Sequence, residues 1–239
     1  MASWFDGPLV GLDFETTGTD PLHDVPVQVA LVWCDGRGGG RTASWLVDPG
    51  CDVPDGAVAI HGISGELARA EGWPLDLTAV RVRRELEKAA REAVPIVAMN
   101  ASFDVTIAAA LFARAGLPPM DWDLVIDPLV IDRYVDPERP GKRRLDALCE
   151  HYGIALNRAH DAGVDAAAAV ALAREIGRRW PEAGRLDPGH LTELQRTWHR
   201  SWAESFDEYC RSEGRPPLDP DDYLWPVRCS TDVALAVGA

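Results

Sequence analysis

Cysteine is sparse and scattered in this 239-residue chain. Its five cysteines, Cys34, Cys51, Cys149, Cys210 and Cys229, are odd in number and form no C-x-x-C pair. That argues against a disulfide framework and a zinc knuckle, and for a reducing, cytoplasmic setting. Long apolar runs are missing too, and none approaches the ~20 residues needed to span a bilayer. The opening MASWFDGPLVGLDFE has no basic region before an apolar stretch, so no secretory signal is expected. Positive charge is scarce, with 24 Lys and Arg against 38 Asp and Glu and a net charge of −14. Affinity for phosphate usually comes from a basic surface, so tight non-specific duplex binding is disfavoured. A pocket for one strand end is not, because bound cations can be the largest local charges in a site. Internal repeats are also absent.

What remains is ordinary globular material, 46% apolar and 26% charged. A chain this long forms one large domain, or a domain with an appendage, and buries roughly 70% of its unfolded surface. The few basic residues cluster as Arg81, Arg83 and Arg84 and as Lys142, Arg143 and Arg144. Each triplet reads first as a solvated face.

Residues 8–14 and 27–33 read as strands, apolar and bounded by turn residues. Four glycines in DGRGGGR, residues 35–41, signal a hairpin turn before a third strand in TASWLVDPG. ISGELARAEG and TAVRVRRELEKAAREA read as helices, and residues 94–99 as a buried strand. FDVTIAAALFARAG is an apolar helix closed by Gly116, and DLVIDPLVIDRY is expected to be the fifth strand and its exit. RRLDALCEHYGI and GVDAAAAVALAREIGRRW are helical. This order predicts an α/β fold with a mixed sheet of about five strands, opening as an antiparallel meander and flanked by helices. After residue 181 the character changes. Leu191, Leu194, Trp198, Trp202, Phe206 and Tyr209 recur at helical spacing, followed by a Pro/Asp-rich stretch expected to be extended. The domain is therefore set at 1–181, with 182–239 as a helical extension and tail.

Asp13 and Glu15, in LVGLDFETTG, lie two residues apart at the end of an apolar run. In a strand they share one face, and two like charges that close need a cation between them. Oxygen-only donor sets suit hard divalent ions such as Mg²⁺ or Mn²⁺. Two more segments carry acids: Asn100-Ala101-Ser102-Phe103-Asp104, between a buried strand and a helix, and His160-Asp161-Ala162-Gly163-Val164-Asp165, entering a helix.

Together these segments resemble the DnaQ-like 3′→5′ exonucleases, the DEDDh branch of the ribonuclease H-like superfold. That family reads D-x-E-T-T-G, N-x-x-F-D and H-x-x-x-x-D, and roughly residues 8–180 follow it in order. The resemblance implies two divalent cations, Mg²⁺ or Mn²⁺. Asp13 would bridge both, Glu15 and Asp165 would ligate one, and Asp104 would hold the second partly through water. His160 would take a proton from the attacking water, a role suited to an imidazole near neutral pH. Asp161 is better read as a helix cap than as a ligand. Phe14, Thr16, Thr17, His61, Ile63 and Asn100 fall on the substrate side of the pattern. For Phe14 plain core packing is an equal alternative, and Phe103 reads as core. Lys142, Arg143 and Arg144 stand where the family has a basic phosphate contact, with functional and solvated readings balanced. His23, His151, His190 and His199 match no motif and are expected to be structural or solvated.

The implied function is 3′→5′ removal of nucleotides from single-stranded DNA or RNA ends. The alternatives are a proofreading subunit docked to a polymerase and a catalytically silent nucleic-acid-binding module. A silent relative should have lost a ligand, and this chain keeps four carboxylates and the histidine. The 191–209 stripe reads first as docked core. If exposed, it would point to a homodimer or a polymerase partner.

Overall fold

A computed structural model describes residues 3–156 and 160–228. The opening segments form the expected antiparallel meander, β1 (Leu9–Thr16), β2 (Pro26–Cys34) and β3 (Gly40–Asp48). β5 (Ile96–Val97) and then β6 (Val125–Ile126) add in parallel beside β1. β4 (Trp73–Pro74) adds in parallel to β3 at the other edge. The described strands run in the order β4-β3-β2-β1-β5-β6. β1 lies at the centre, covered on both faces, which is why its sequence is nearly continuous apolar residues.

The helices are α1 (Asp55–His61), α2 (Gly65–Glu71), α3 (Leu75–Arg91), α4 (Ala101–Arg114), α5 (Pro128–Val135), α6 (Leu145–Tyr152), α7 (Ala162–Arg179), α8 (Pro181–Gly184) and α9 (Pro188–Ser212). Alternation along β1 sorts its neighbours. Val10, Leu12 and Phe14 pack with Val82 and Leu86 of α3 and Val105 and Leu111 of α4. The opposite face receives α7. Gly11 makes that approach close, because a Cβ there would lie 2.4 Å from the Ala166 carbonyl oxygen. Asp13 of β1 and Asp165 of α7 are thereby drawn to one end of the sheet.

Two expectations are corrected. DLVIDPLVIDRY is not a fifth strand with a simple exit, since only Val125–Ile126 is extended and Pro128–Val135 is helical. The Asp127 carboxylate accepts the Leu129 N–H at 2.9 Å and Pro128 occupies the first turn, a cap-and-proline start that ends the strand. The mixed sheet of about five strands has six described ones, the two-residue β4 being the addition. The tail is not simply extended: Pro220–Tyr223 is a 3₁₀ turn, and Trp225 is buried against the core.

α9 lies along β6 and α5. Leu191, Thr192 and Gln195 are fully buried, and Trp198 stacks on Tyr134 at 3.9 Å between ring centres. The first half of the aromatic stripe is thus spent within the chain, while Tyr209 at its end is exposed. Among the described residues no helix is long and apolar enough to cross a membrane.

Candidate active site

Three elements converge at the carboxyl end of β1. Asp13 and Glu15 leave the strand on the α7 side, and the β1–β2 register shifts between Glu15 and Thr16. Such an irregularity re-aims the side chains around it. Asp104 enters from the first turn of α4, where its Oδ1 accepts the Phe14 N–H at 3.0 Å. Asp165 enters from the first turn of α7, and Asp161 caps that helix by accepting the Gly163 and Val164 N–H groups, as expected. The start of α7 is further tied to β2 through the Ala162 N–H and Gln28 Oε1 at 3.2 Å.

His160 stands at the mouth. It adopts a left-handed backbone with φ 70°, uncommon for a residue with a side chain, and its N–H donates to Asp165 Oδ2 at 2.9 Å. One ligand atom each from Glu15, His160 and Asp165 lie within 4.8 Å of one another. A cleft of ≈ 120 Å³ opens beside them, lined by Arg144, Leu145, Asp146 and Leu156 as well as His160 and Asp165.

All four carboxyls are held above their ordinary range, with burial as the first cause. Burial, then Asp104, then Glu15 hold the Asp13 carboxyl well above the usual range. Burial also raises Asp104 and Asp165. Glu15 is pushed up to about 7 by burial, then by Asp165 and Asp161. No Lys or Arg among the described residues pairs with any of the four. Asp165 Oδ1 is buried without a hydrogen-bond partner. Crowded anionic oxygens, one of them orphaned, fit a divalent cation.

The substrate-side residues divide. Phe14 packs in the core with 5% of its surface exposed, so its backbone, not its ring, faces the acids. Thr16 Oγ1 donates to the Gly18 carbonyl at 2.6 Å and Thr17 Oγ1 to Asp24 Oδ1 at 2.8 Å, which leaves the chain after Glu15 tightly turned. His61 closes α1, which follows the third strand. Its Nδ1 accepts the Ile63 N–H at 3.1 Å, which puts the ring proton on Nε2, buried and without a partner. Burial lowers its pKa, with His160 adding to the effect. Ile63 is buried beside Val27 and Ala68. Asn100 has φ 63° at the head of α4, a left-handed conformation that asparagine tolerates better than most residues. Phe103 is partly buried against the core.

Within the basic triplet, Arg143 turns inward. It pairs with the fully buried Asp132 and donates to the carbonyls of Asp136 and Pro137. Lys142 is exposed, and Arg144 pairs with Asp146 at the cleft. Of the unmatched histidines, His23 pairs with Asp20 at the surface, while His199 is buried against the Asp222 carbonyl.

Sequence reasoning passed over Asp127. Its carboxylate accepts the N–H groups of Asn100 at 3.0 Å and Ala101 at 2.8 Å, and the indole N–H of Trp225 at 3.2 Å. Its own N–H donates to Gln195 Oε1 at 2.7 Å. This residue sets the turn that leads into Asp104. The Asp-Pro pair before an apolar run was the signal that could have found it.

A central antiparallel meander extended by parallel strands, with carboxylates from two strand–helix junctions gathered at its end, defines a ribonuclease H-like nuclease fold. Residues 10–173 match the RNase T exonuclease family, and the chain belongs to that DnaQ-like family of exonucleases, which are phosphodiester hydrolases. It is 31% identical over 148 residues to the epsilon subunit of DNA polymerase III from Rickettsia felis, covering 60% of this chain and 61% of that one. It is 33% identical over 167 residues to the PolC-type DNA polymerase III of Streptococcus suis, covering 68% of this chain and 11% of that one. The chain therefore spans less than two thirds of these relatives. Among solved structures, E. coli exonuclease I in complex with a dT13 oligonucleotide superposes with a TM-score of 0.61 and 27% identity, over 74% of this chain and 42% of that one. A zinc-bound form of the exonuclease I–single-stranded DNA complex superposes with a TM-score of 0.62 and 26% identity, over 81% and 43%.

Proposed function

We propose that this chain removes nucleoside monophosphates one at a time from the 3′ end of single-stranded nucleic acid, using two Mg²⁺ or Mn²⁺ ions. The observation that carries the reading is the crowding of Asp13 by Asp104, Glu15 and Asp165, with Glu15, His160 and Asp165 within 4.8 Å of one another and one Asp165 oxygen orphaned. The four carboxylates would hold the cations, which supply charge neutralisation on the phosphate and its attacking and leaving oxygens. The protein's own contribution begins with the turn after Glu15, which receives the strand terminus. The His61 Nε2–H faces the Thr16 backbone and would steady the turn that meets the terminal nucleotide. Arg144, paired with Asp146 at the cleft, would meet a phosphate by exchanging that partner. His160, on the solvent side of Glu15 and Asp165, accepts the proton of the attacking water and releases it to solvent.

DNA is the substrate favoured by the likeness to exonuclease I bound to an oligonucleotide and to polymerase III subunits. The same likeness supports a second reading, a proofreading partner of a polymerase, which co-purification would test. The test of the main reading is a 5′-labelled single strand incubated with Mg²⁺ or Mn²⁺. A ladder shortening from the 3′ end, abolished by EDTA and restored by metal, is expected. Activity that survives exhaustive chelation, or cleavage of a circular strand at a similar rate, would reject it.

A further inference from the structure

Positive charge is scarce in this molecule, yet much of it collects in one place. Arg41 of β3 and Arg81, Arg84, Lys88 and Arg91 of α3 line a groove of ≈ 570 Å³ on the sheet face opposite α7. One carboxylate, Glu85, lies among them, holding Arg41 and the Trp33 indole N–H. Lys88 reaches Glu92 at 3.2 Å and Arg91 reaches Glu87 at 3.9 Å. Arg81 and Arg84 are exposed and have no carboxylate partner among the described residues. Aromatic surface alternates with the charge: Lys88 sits 3.8 Å over Trp33, Arg81 sits 3.9 Å over Trp73, and Trp45 lines the floor. Cations interleaved with flat apolar rings are the surface that tracks a sugar-phosphate backbone and stacks its bases.

Register ties the groove to the active site. Phe14 pairs with Val29, and Val29 with Trp45, so these three residues form one cross-strand row. Trp45 is thus two strands, about 10 Å, from the end of β1, on the sheet face opposite the carboxylates, so a strand passing over the end of the sheet covers another layer spacing of ~10 Å. Arg41 lies four residues further along β3, about 13 Å at ~3.3 Å per residue.

We propose that this groove binds the substrate strand upstream of its 3′ end, as a second anchor that only longer strands reach. The proposal rests on the exonuclease reading and adds to it a dependence on strand length. At ~3.4 Å per stacked nucleotide, a path of roughly 20–33 Å corresponds to about six to ten nucleotides. A trinucleotide occupies the active site alone, whereas a strand of about 20 nucleotides engages both.

The test replaces the two unpaired cations, Arg81→Gln with Arg84→Gln, in the full chain. Affinity for a fluorescent thymidine 20-mer, measured by anisotropy in EDTA, should fall roughly tenfold. Its log–log salt slope should shrink by about 1.4, or ~0.7 per lost phosphate contact. Turnover of a trinucleotide in Mg²⁺ should stay at the parental value. The charge-retaining pair Arg81→Lys with Arg84→Lys should keep the parental salt slope. Unchanged 20-mer affinity would overturn the proposal and leave the groove to an acidic protein partner. Equal losses on the trinucleotide and the 20-mer would also overturn it, by placing the effect at the active site. Binding of the 20-mer through the groove with no hydrolysis in either metal would instead reject the catalytic reading while sustaining the anchor.

Discussion

Two aspartate sites in this molecule treat the same side chain in opposite ways. Asp132, fully buried on α5, is surrounded by donors: Arg143, Arg139 at 3.4 Å and the Tyr152 hydroxyl at 2.9 Å. Asp13, on the central strand, is surrounded by other carboxylates. Burying charge is costly unless it is paired, so the first site stabilises what would otherwise be a liability. The second keeps its cost until a cation arrives. The contrast separates a structural acid from a reactive one more surely than depth does.

The largest expected effect breaks the reactive half. Asp13→Asn should cut turnover by about 10⁴-fold, since metal-assisted charge stabilisation is worth several kcal/mol at ~1.4 kcal/mol per decade. Its melting temperature should stay level or rise, because one repelling charge is gone. Near-parental turnover at saturating Mg²⁺ would remove Asp13 from the site. His160→Ala should lower turnover by ~10²–10⁴ with metal affinity, measured by calorimetry, nearly unchanged. Full activity in that variant would make His160 an ordinary surface residue.

Asp132→Asn should do the reverse of Asp13→Asn. Removing one partner of a buried ion pair costs about 3 kcal/mol or more, a fall of roughly 6–12 °C in a domain this size, with turnover per folded molecule preserved. Thermal melting beside a single-turnover assay would show whether the two aspartates really part in this way. The smallest effect is a pH dependence. Glu15 titrates at about 7 in the fold against an ordinary 4.5, so the folded state holds its proton longer than the unfolded state does. The stability tied to that proton is complete below about 4.5 and drains away as pH rises to about 7. EDTA-treated protein should therefore melt lower at pH 7.5 than at pH 5, and Mg²⁺ should raise the melting temperature more at pH 7.5. Equal metal shifts at both values would contradict the crowded-carboxylate account.

What was legible in the sequence was what local spacing controls. Asp13 and Glu15 declared a shared face by their i, i+2 separation, and Asp161 declared a cap by preceding an apolar helical run. The opening meander followed from alternating runs and glycine turns. Long-range partners were not legible. Arg143 belongs to Asp132 rather than to a phosphate contact because α5 turns where the apolar run through residues 125–131 had suggested one strand. β4 is two residues held in place by β3, too short for any periodicity to announce. Asp127 acquires its role only when Asn100, Gln195 and Trp225 arrive from three other segments.

The way α9 meets β6 bears on how the sheet edge is kept from pairing with another chain. An outermost strand presents unpaired N–H and C=O groups that can template pairing with another molecule. Here the Thr192 hydroxyl accepts the Val125 N–H at 3.0 Å, and the Gln195 amide donates to the Val125 carbonyl at 2.8 Å while accepting the Asp127 N–H. Two helical side chains thus stand in for a further strand beside β6. The opposite edge is blunted by its brevity and by Pro74, which has no N–H to offer. A shortened chain ending before α9 would bare the β6 edge beside the very turn that carries Asp104, and self-association through that edge should accompany any loss of activity.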